Sequence, residues 1–341
     1  MFLGIEIGGT KLQLGVGAGD GSSLVDVCRS DVEPRRGASG ILEQIDRHAA
    51  ALLQRHSIER IGIGFGGPVD PASGRIVKSH QIDGWEDVHL VEWCRTALSL
   101  PAVLGNDCDA AALAEARFGA GRDKRIVFYV TVGTGVGGGL VVDGKLYGAG
   151  RPAVAEIGHL RPGLHHDRPD DTVESLASGW GIVAAAQARL SGQIARPLEL
   201  ARGSRGPLHK EAVRQRLADA RQADDEYASD LLARCAGDPE ALTSKMVAEA
   251  AAEGNEIARE VFQHSVHALG WAIAQAITLV APEVVVVGGG VSLAGEQLFF
   301  TPLREAVGRY VFGPLTRSYA IAPAALGELA VVHGALALAA E

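Results

Sequence analysis

Hydrophobic positions along the chain fall into short runs that end in glycine, and one such pattern occurs twice. Residues 127–132 form a β-branched and aromatic run, which predicts a strand. A turn of Gly133, Thr134, Gly135, Gly137, Gly138 and Gly139 follows it, and Val136 with Leu140, Val141 and Val142 reads as the hairpin partner. Near the N-terminus Leu3, Ile5 and Ile7 lead into Gly8-Gly9-Thr10, and Leu12, Leu14 and Val16 alternate on the far side. Glycine has no Cβ, so such turns can take positive φ and bring backbone close to a ligand. Their successive N–H groups form a concave nest that attracts anions. Two strand–turn–strand units predict an internal duplication, each half offering one phosphate cradle with a nucleotide between them. Neither turn matches a P-loop, and no G-x-G-x-x-G stands in a Rossmann context.

The remaining patterns predict an α/β chain. Residues 23–32 read as a third strand with Val25 and Val27 on one face. Residues 37–57 carry an apolar stripe at helical spacing, from Ile41 and Leu42 through Ile45 and Ala49 to Leu52 and Leu53. A buried strand at 61–65 ends in Gly66-Gly67-Pro68, with a turn at 69–74. A short helix at 90–98, a strand at 102–104 and an alanine-rich helix at 109–118 follow. An aspartate at a strand end before a helix, such as Asp107, reads locally as an N-cap. The Gly-rich, charged stretch 119–124 predicts a domain boundary. Beyond it come a turn at Asp143-Gly144, one helix over 174–190, helices at 244–254 and 256–280, a buried strand at 284–287 ended by Gly288, Gly289 and Gly290, and a terminal helix at 329–340. Residues 198–225 are charged with a poor core pattern, which predicts a peripheral helical insertion.

Composition narrows the class. The 341 residues suffice for two domains, and 47% hydrophobic with 21% charged residues fits a globular protein. A formal net charge of −9 argues against a nucleic-acid-tracking protein. Cys28, Cys94, Cys108 and Cys235 show no C-x-x-C spacing, so no disulfide framework is indicated and a reducing cytoplasm is expected. No signal peptide is visible, and the uncharged stretch 265–282 reads as a buried core helix rather than a membrane span.

Several segments carry a more specific message. Leu104-Gly-Asn-Asp-Cys-Asp-Ala-Ala-Ala-Leu-Ala-Glu115 resembles the E-N-D-A-N-A-A-A-L-G-E segment of the ROK family of repressors, open reading frames and kinases. Glu156-Ile-Gly-His159 resembles its E-I-G-H box, and Glu174 with Ala177-Ser178-Gly179 its C-L-E-x-x-A-S-G segment. Gly66, Gly67 and Asp70 resemble its G-x-P-G-x-V-D loop with Pro and Gly reversed, and Gly84-Trp85 the end of its L-P-G-W. Gly8, Gly9, Thr10 and Lys11 resemble the first phosphate segment, D-I-G-G-T-K, with Glu6 in place of its Asp. Thr131, Gly133, Thr134 and Gly135 resemble the second phosphate segment, and Gly288, Gly289 and Gly290 the adenosine segment.

The resemblance implies an actin-like ATPase (ribonuclease H-like) fold with two domains and a cleft between them. The expected boundaries are 1–118 plus 323–341 for the smaller domain and 119–322 for the larger, with a helical insertion near 190–243. It implies ATP-dependent phosphorylation of a hexose, glucose or a related sugar, at the 6-hydroxyl. Asp107 would be the general base, and Gly66, Gly67, Asn106, Glu156, His159 and Glu174 would bind sugar with it. The phosphates would meet the two Gly-Thr turns, and Glu6 would face Mg²⁺ through water. A homodimer is implied. Zinc-bearing members place a Cys-rich segment after the E-I-G-H box; here that interval holds His165, His166 and Asp167 without cysteine, and no zinc site is expected. Two other readings remain open. One is a sugar- or nucleotide-binding protein with little turnover. The other is a transcriptional repressor, which the phosphate hairpin beginning at Leu3 disfavours by leaving no room for a helix-turn-helix.

Overall fold

A computed structural model of the chain describes residues 1–341 except 80–81, 152, 165, 167 and 192–225. The insertion expected at 198–225, and His165 and Asp167, therefore lie outside the described residues.

The chain begins with β1 (Phe2–Ile7), β2 (Lys11–Gly17) and β3 (Asp26–Asp31), then α1 (Gly37–Leu53) and β4 (Arg60–Phe65). A small hairpin of β5 (Val69–Asp70) and β6 (Arg75–Ile76) stands where the sequence suggested only a turn. Then come α2 (Leu90–Ala97), β7 (Ala102–Asn106) and α3 (Asp107–Arg117). The next stretch holds β8 (Ile126–Val132), β9 (Val136–Val142), β10 (Lys145–Leu146), α4 (Val173–Ala177) and α5 (Gly179–Leu190). Past the undescribed segment lie α6 (Ser244–Ala252), α7 (Glu256–Val280), β11 (Val284–Gly288), α8 (Thr301–Tyr310), β12 (Ala320–Pro323) and α9 (Ala330–Ala340).

The strands build two five-stranded sheets, ordered β3-β2-β1-β4-β7 and β10-β9-β8-β11-β12. From its outer edge each sheet pairs antiparallel twice, then parallel twice. The duplication suggested by two Gly-Thr turns is thus a repeat of topology, and the doubled order is that of the actin-like ATPase fold. Ile41, Ile45, Ala49 and Leu52 of α1 join the apolar core of the first sheet, and the long α7 is buried in the core of the second. No helix among the described residues is long and apolar enough to cross a membrane.

Between the sheets lie α3 and α9. The alanines of α3 pack on β8 and β9, α9 packs on β1 and β4, and the two helices pack on each other. Glycines make this layer thin. A Cβ on Gly334 would lie 1.8 Å from the carbonyl oxygen of Ala110, and one on Gly62 would lie 1.7 Å from that of Ala335.

Three local expectations are corrected. Gly137, Gly138 and Gly139 belong to strand β9, not to the turn. The helix expected over 174–190 is two, because Ser178 adopts extended backbone (ψ 167°) and its hydroxyl accepts from Gly181 N at 3.1 Å, starting α5 afresh. The N-cap of α3 is Asn106, not Asp107: its side-chain oxygen accepts from Cys108 N and Asp109 N.

Both places where the chain passes between the halves, 118–125 and 324–329, converge on Glu115. This fully buried carboxyl accepts from Ala120 N at 2.8 Å, Ala325 N at 3.1 Å and Leu326 N at 2.8 Å. Glu115→Ala would strand those donors inside the protein and should destabilise the fold by about 3 kcal/mol or more, each buried donor left unpaired costing about 1–3 kcal/mol. Denaturant unfolding of the purified variant checks this, and a loss below about 1 kcal/mol would contradict it.

Candidate active site

Asp107 reaches the cleft because β4 and β7 end side by side. Asn106, the last residue of β7, donates through Nδ2 to the carbonyl of Gly67 at 3.0 Å while its oxygen caps α3. The strand end, the 66–68 loop and the helix start are thereby locked together, and little of the Asn106 amide is left uncommitted. Asp107 Oδ1 accepts from Cys108 N at 2.8 Å. Its Oδ2 faces Gly66, where a Cβ would come within 3.3 Å. The carboxyl is recessed, and burial pushes its pKa up to about 6.

Opposite lies the hairpin of the second sheet. Glu174, carried by α4, accepts from Val136 N at 2.8 Å through Oε2, and a Cβ on Gly135 would strike that oxygen at 2.5 Å. Ile157 and Gly158 of the E-I-G-H box are structural. Ile157 is buried, and a Cβ on Gly158 would lie 2.0 Å from the carbonyl of Val136. This anchoring leaves Glu156 and His159 open to the cleft. Burial is also the main cause raising the Glu156 carboxyl, with Glu174 adding to it and His159 opposing.

A cavity of about 470 Å³ is lined by Gly66, Gly67, Asn106, Glu156, His159 and Glu174, among others. The structure thus gathers these six sequence-predicted sugar ligands around one space; Asp107, the expected base, lines neither cavity, although it follows Asn106 in the chain and its Oδ2 lies near Gly66. A second cavity of about 680 Å³ adjoins it across Thr134 and Trp180, which line both. Its walls are Gly133 and Thr134, the start of α5, and Gly290 with Val291. Of the last glycine triplet, only Gly290 lines it. Gly289 takes φ 89° where a Cβ would meet the carbonyl of Val132 at 2.5 Å, and Gly288 packs beside the Tyr129 hydroxyl.

The glycines of the two phosphate turns act differently from expectation. None of Gly8, Gly133, Gly135, Gly137, Gly138 or Gly139 lies in the left-handed region. Those of the second hairpin make room: a Cβ on Gly137 would meet Cys108 Sγ at 2.4 Å, and one on Gly139 would meet Ala112 at 2.6 Å. Gly133 alone has open space around it.

Neither cavity is lined by Glu6, the residues 8–11 or Thr131. The first turn abuts the floor through Gly66, whose N–H donates to the carbonyl of Ile7 at 2.8 Å. Gly8 N donates to Lys11 O at 2.9 Å, and the Lys11 ammonium pairs with Glu328 at 3.3 Å. Burial pushes the Glu6 carboxyl up to about 7, against the hydrogen bond from Gln13 and the charge of Lys11, with Asp107 raising it further.

Asp109 was not singled out by the sequence. It is raised to about 7 by burial and by the charges of Glu156 and Asp107, so it belongs to the same acidic cleft. Trp180, Gln187, Glu240 and Ser244 were also missed as cavity walls. Only the position of Trp180 just after the Ala-Ser-Gly segment could have pointed to one of them. Among the described residues, no group of three or more His, Cys, Asp or Glu side chains is arranged to hold a metal ion.

The model of the ROK family matches residues 2–341. The glucokinase of Thermotoga maritima is 30% identical over 341 residues, covering 100% of this chain and 97% of the relative. A crystal structure of a ROK family glucokinase from Streptomyces griseus, in complex with glucose and AMPPNP, superposes with a TM-score of 0.78 at 29% identity over 99% of this chain and 98% of that one. The ROK hexokinase from Thermus thermophilus superposes with a TM-score of 0.74 at 25% identity over 99% and 97%. With repeated sheet topology, a shared cleft and a family match along almost its entire length, the chain belongs to the ROK family.

Proposed function

We propose that this protein transfers the γ-phosphoryl group of ATP to a hexose, glucose or a close relative, at the 6-hydroxyl. The observation that carries this reading is the pair of adjoining cavities. One is lined by carboxylates, an imidazole and an amide, groups suited to several hydroxyls. The other begins at a glycine turn and a helix start and is large enough for a nucleoside. Asp107 adjoins two residues that line the first, Asn106 and Gly66. The sugar oxygen attacks the γ-phosphorus, its proton passes to Asp107 Oδ2, and the bond to the β-phosphate oxygen breaks to release ADP. A base with pKa about 6 is mostly ionised at neutral pH yet still accepts a proton. Glu156, His159 and Glu174 hold the other hydroxyls so that a single oxygen is aimed.

Mg²⁺ fits the residues present. Glu6 offers a carboxylate, the oxygen donor a hard divalent cation takes, and the charge of Asp107 is felt at it. When bound, the ion neutralises charge on the phosphates. The protein acts in the cytoplasm, in keeping with its four free thiols, and as a homodimer, which sedimentation would read. The domain boundaries are taken at 118/119 and 322/323, the second of them just before the 324–329 passage.

Binding without turnover is the second reading, and the burial of Glu6 beneath the phosphate turn favours it. ADP release measured across a panel of hexoses separates the two; sugar-independent or absent release would sink the kinase reading. Asp107→Asn should lower kcat about 10²- to 10⁴-fold, while calorimetry should still find sugar bound. Because burial raises the Asp107 carboxyl, the base is protonated below about pH 6, so kcat/KM should fall as pH drops through that value. An acid limb near 3.8, the ordinary aspartate value, would count against Asp107. Glu156→Gln should raise the sugar KM about ten- to a hundredfold and leave the KM for ATP nearly unchanged.

A further inference from the structure

We propose that Gln13 is a positioning residue: it holds the Glu6 carboxylate in place beneath the phosphate turn, with the backbone of Glu328 as its anchor. The inference rests on the reading that Glu6 serves the phosphate side of the site. Glu6 and Gln13 are cross-strand partners in the β1–β2 register. Gln13 has no exposed surface, rare for a side chain of this kind. Its Nε2 donates to Glu6 Oε2 at 2.7 Å and to the carbonyl of Glu328 at 2.9 Å. Its Oε1 is buried without a partner.

These facts fix which way the amide points. A carbonyl oxygen only accepts, so the group facing Glu328 must be the NH₂. The same nitrogen then spends its second hydrogen on Glu6. A buried amide with one end orphaned costs stability, and an apolar residue of equal size would fill the space without that cost. The two hydrogen bonds are therefore what Gln13 supplies. Glu328 is itself held, since its carboxylate pairs with Lys11 and with Arg29. It lies in the second passage between the halves, whose N–H groups at Ala325 and Leu326 are fastened to Glu115. A long, rotatable carboxylate is thus tied through one amide to backbone that is itself fastened to Glu115.

The test uses the full-length protein and the variants Gln13→Met, Glu6→Gln and the double variant. Calorimetry gives the Kd for Mg·AMPPNP and for glucose, and steady-state kinetics gives kcat. Gln13→Met should weaken Mg·AMPPNP binding about tenfold and lower kcat about 10- to 100-fold, with glucose affinity held within about twofold. In the Glu6→Gln background it should add no further loss of nucleotide affinity. An equal loss in both backgrounds, or unchanged nucleotide binding, overturns the proposal and leaves Gln13 a packing residue. Should Glu6→Gln alone bind and turn over normally while Asp107→Asn is dead, the kinase reading stands and both Glu6 and Gln13 lose their assigned roles. If Gln13→Met fails to fold, Gln13→Asn carries the same comparison, since it keeps an amide but shortens its reach by one methylene.

Discussion

Two sheets of the same topology are useful only if something sets the distance between them, and here that is the α3–α9 layer with Glu115 at its end. The helices meet backbone to backbone at Gly334, and α9 meets strand β4 the same way at Gly62, because neither glycine has a side chain to hold the elements apart. Where the helices stop, one buried carboxyl takes N–H groups from both strands of chain that pass between the halves. Gly119 is part of the same device, since a Cβ there would strike Glu115 at 2.1 Å. The cleft is a consequence: Asp107 opens α3 and Glu115 lies on that helix two turns later, so the candidate base and the pin between the halves share one rigid rod.

The electrostatics of the cleft follow from its depth. Glu6, Asp107, Asp109 and Glu156 are all raised, and burial is the leading cause in each. Their mutual repulsion adds to it, and few cations oppose it. Lys11 opposes it at Glu6 while pairing with Glu328. A site of this kind is short of positive charge and of hydrogen-bond donors.

The strand runs, the amphipathic α1, the long α7 and the paired Gly-Thr turns were all legible in the sequence, because each depends on periodicity or composition within a few residues. That Asn106, Glu156, His159 and Glu174 would lie around one space could also be expected from their ordered segments, which resemble a family pattern. What those residues touch was not legible. Asn106 caps α3 and ties down the 66–68 loop. Ile157 and Gly158 wedge under the hairpin so that Glu156 and His159 face outward. The glycines at 137–139 exist to admit Cys108, Ala112 and the 155–158 turn, not to bend the chain. The break at Ser178 was hidden because no proline or glycine precedes it.

The linear order of residues thus determined which segments would be strands and helices and which side chains could do chemistry, for those properties are local. Tertiary structure alone decided that Gln13 meets Glu6 and Glu328, that Glu115 gathers N–H groups from two distant loops, and that Trp180 stands between two cavities. Each of these joins parts of the chain far apart in sequence, and the burial that gives them their strength arises only when both sheets have closed on the helices between them.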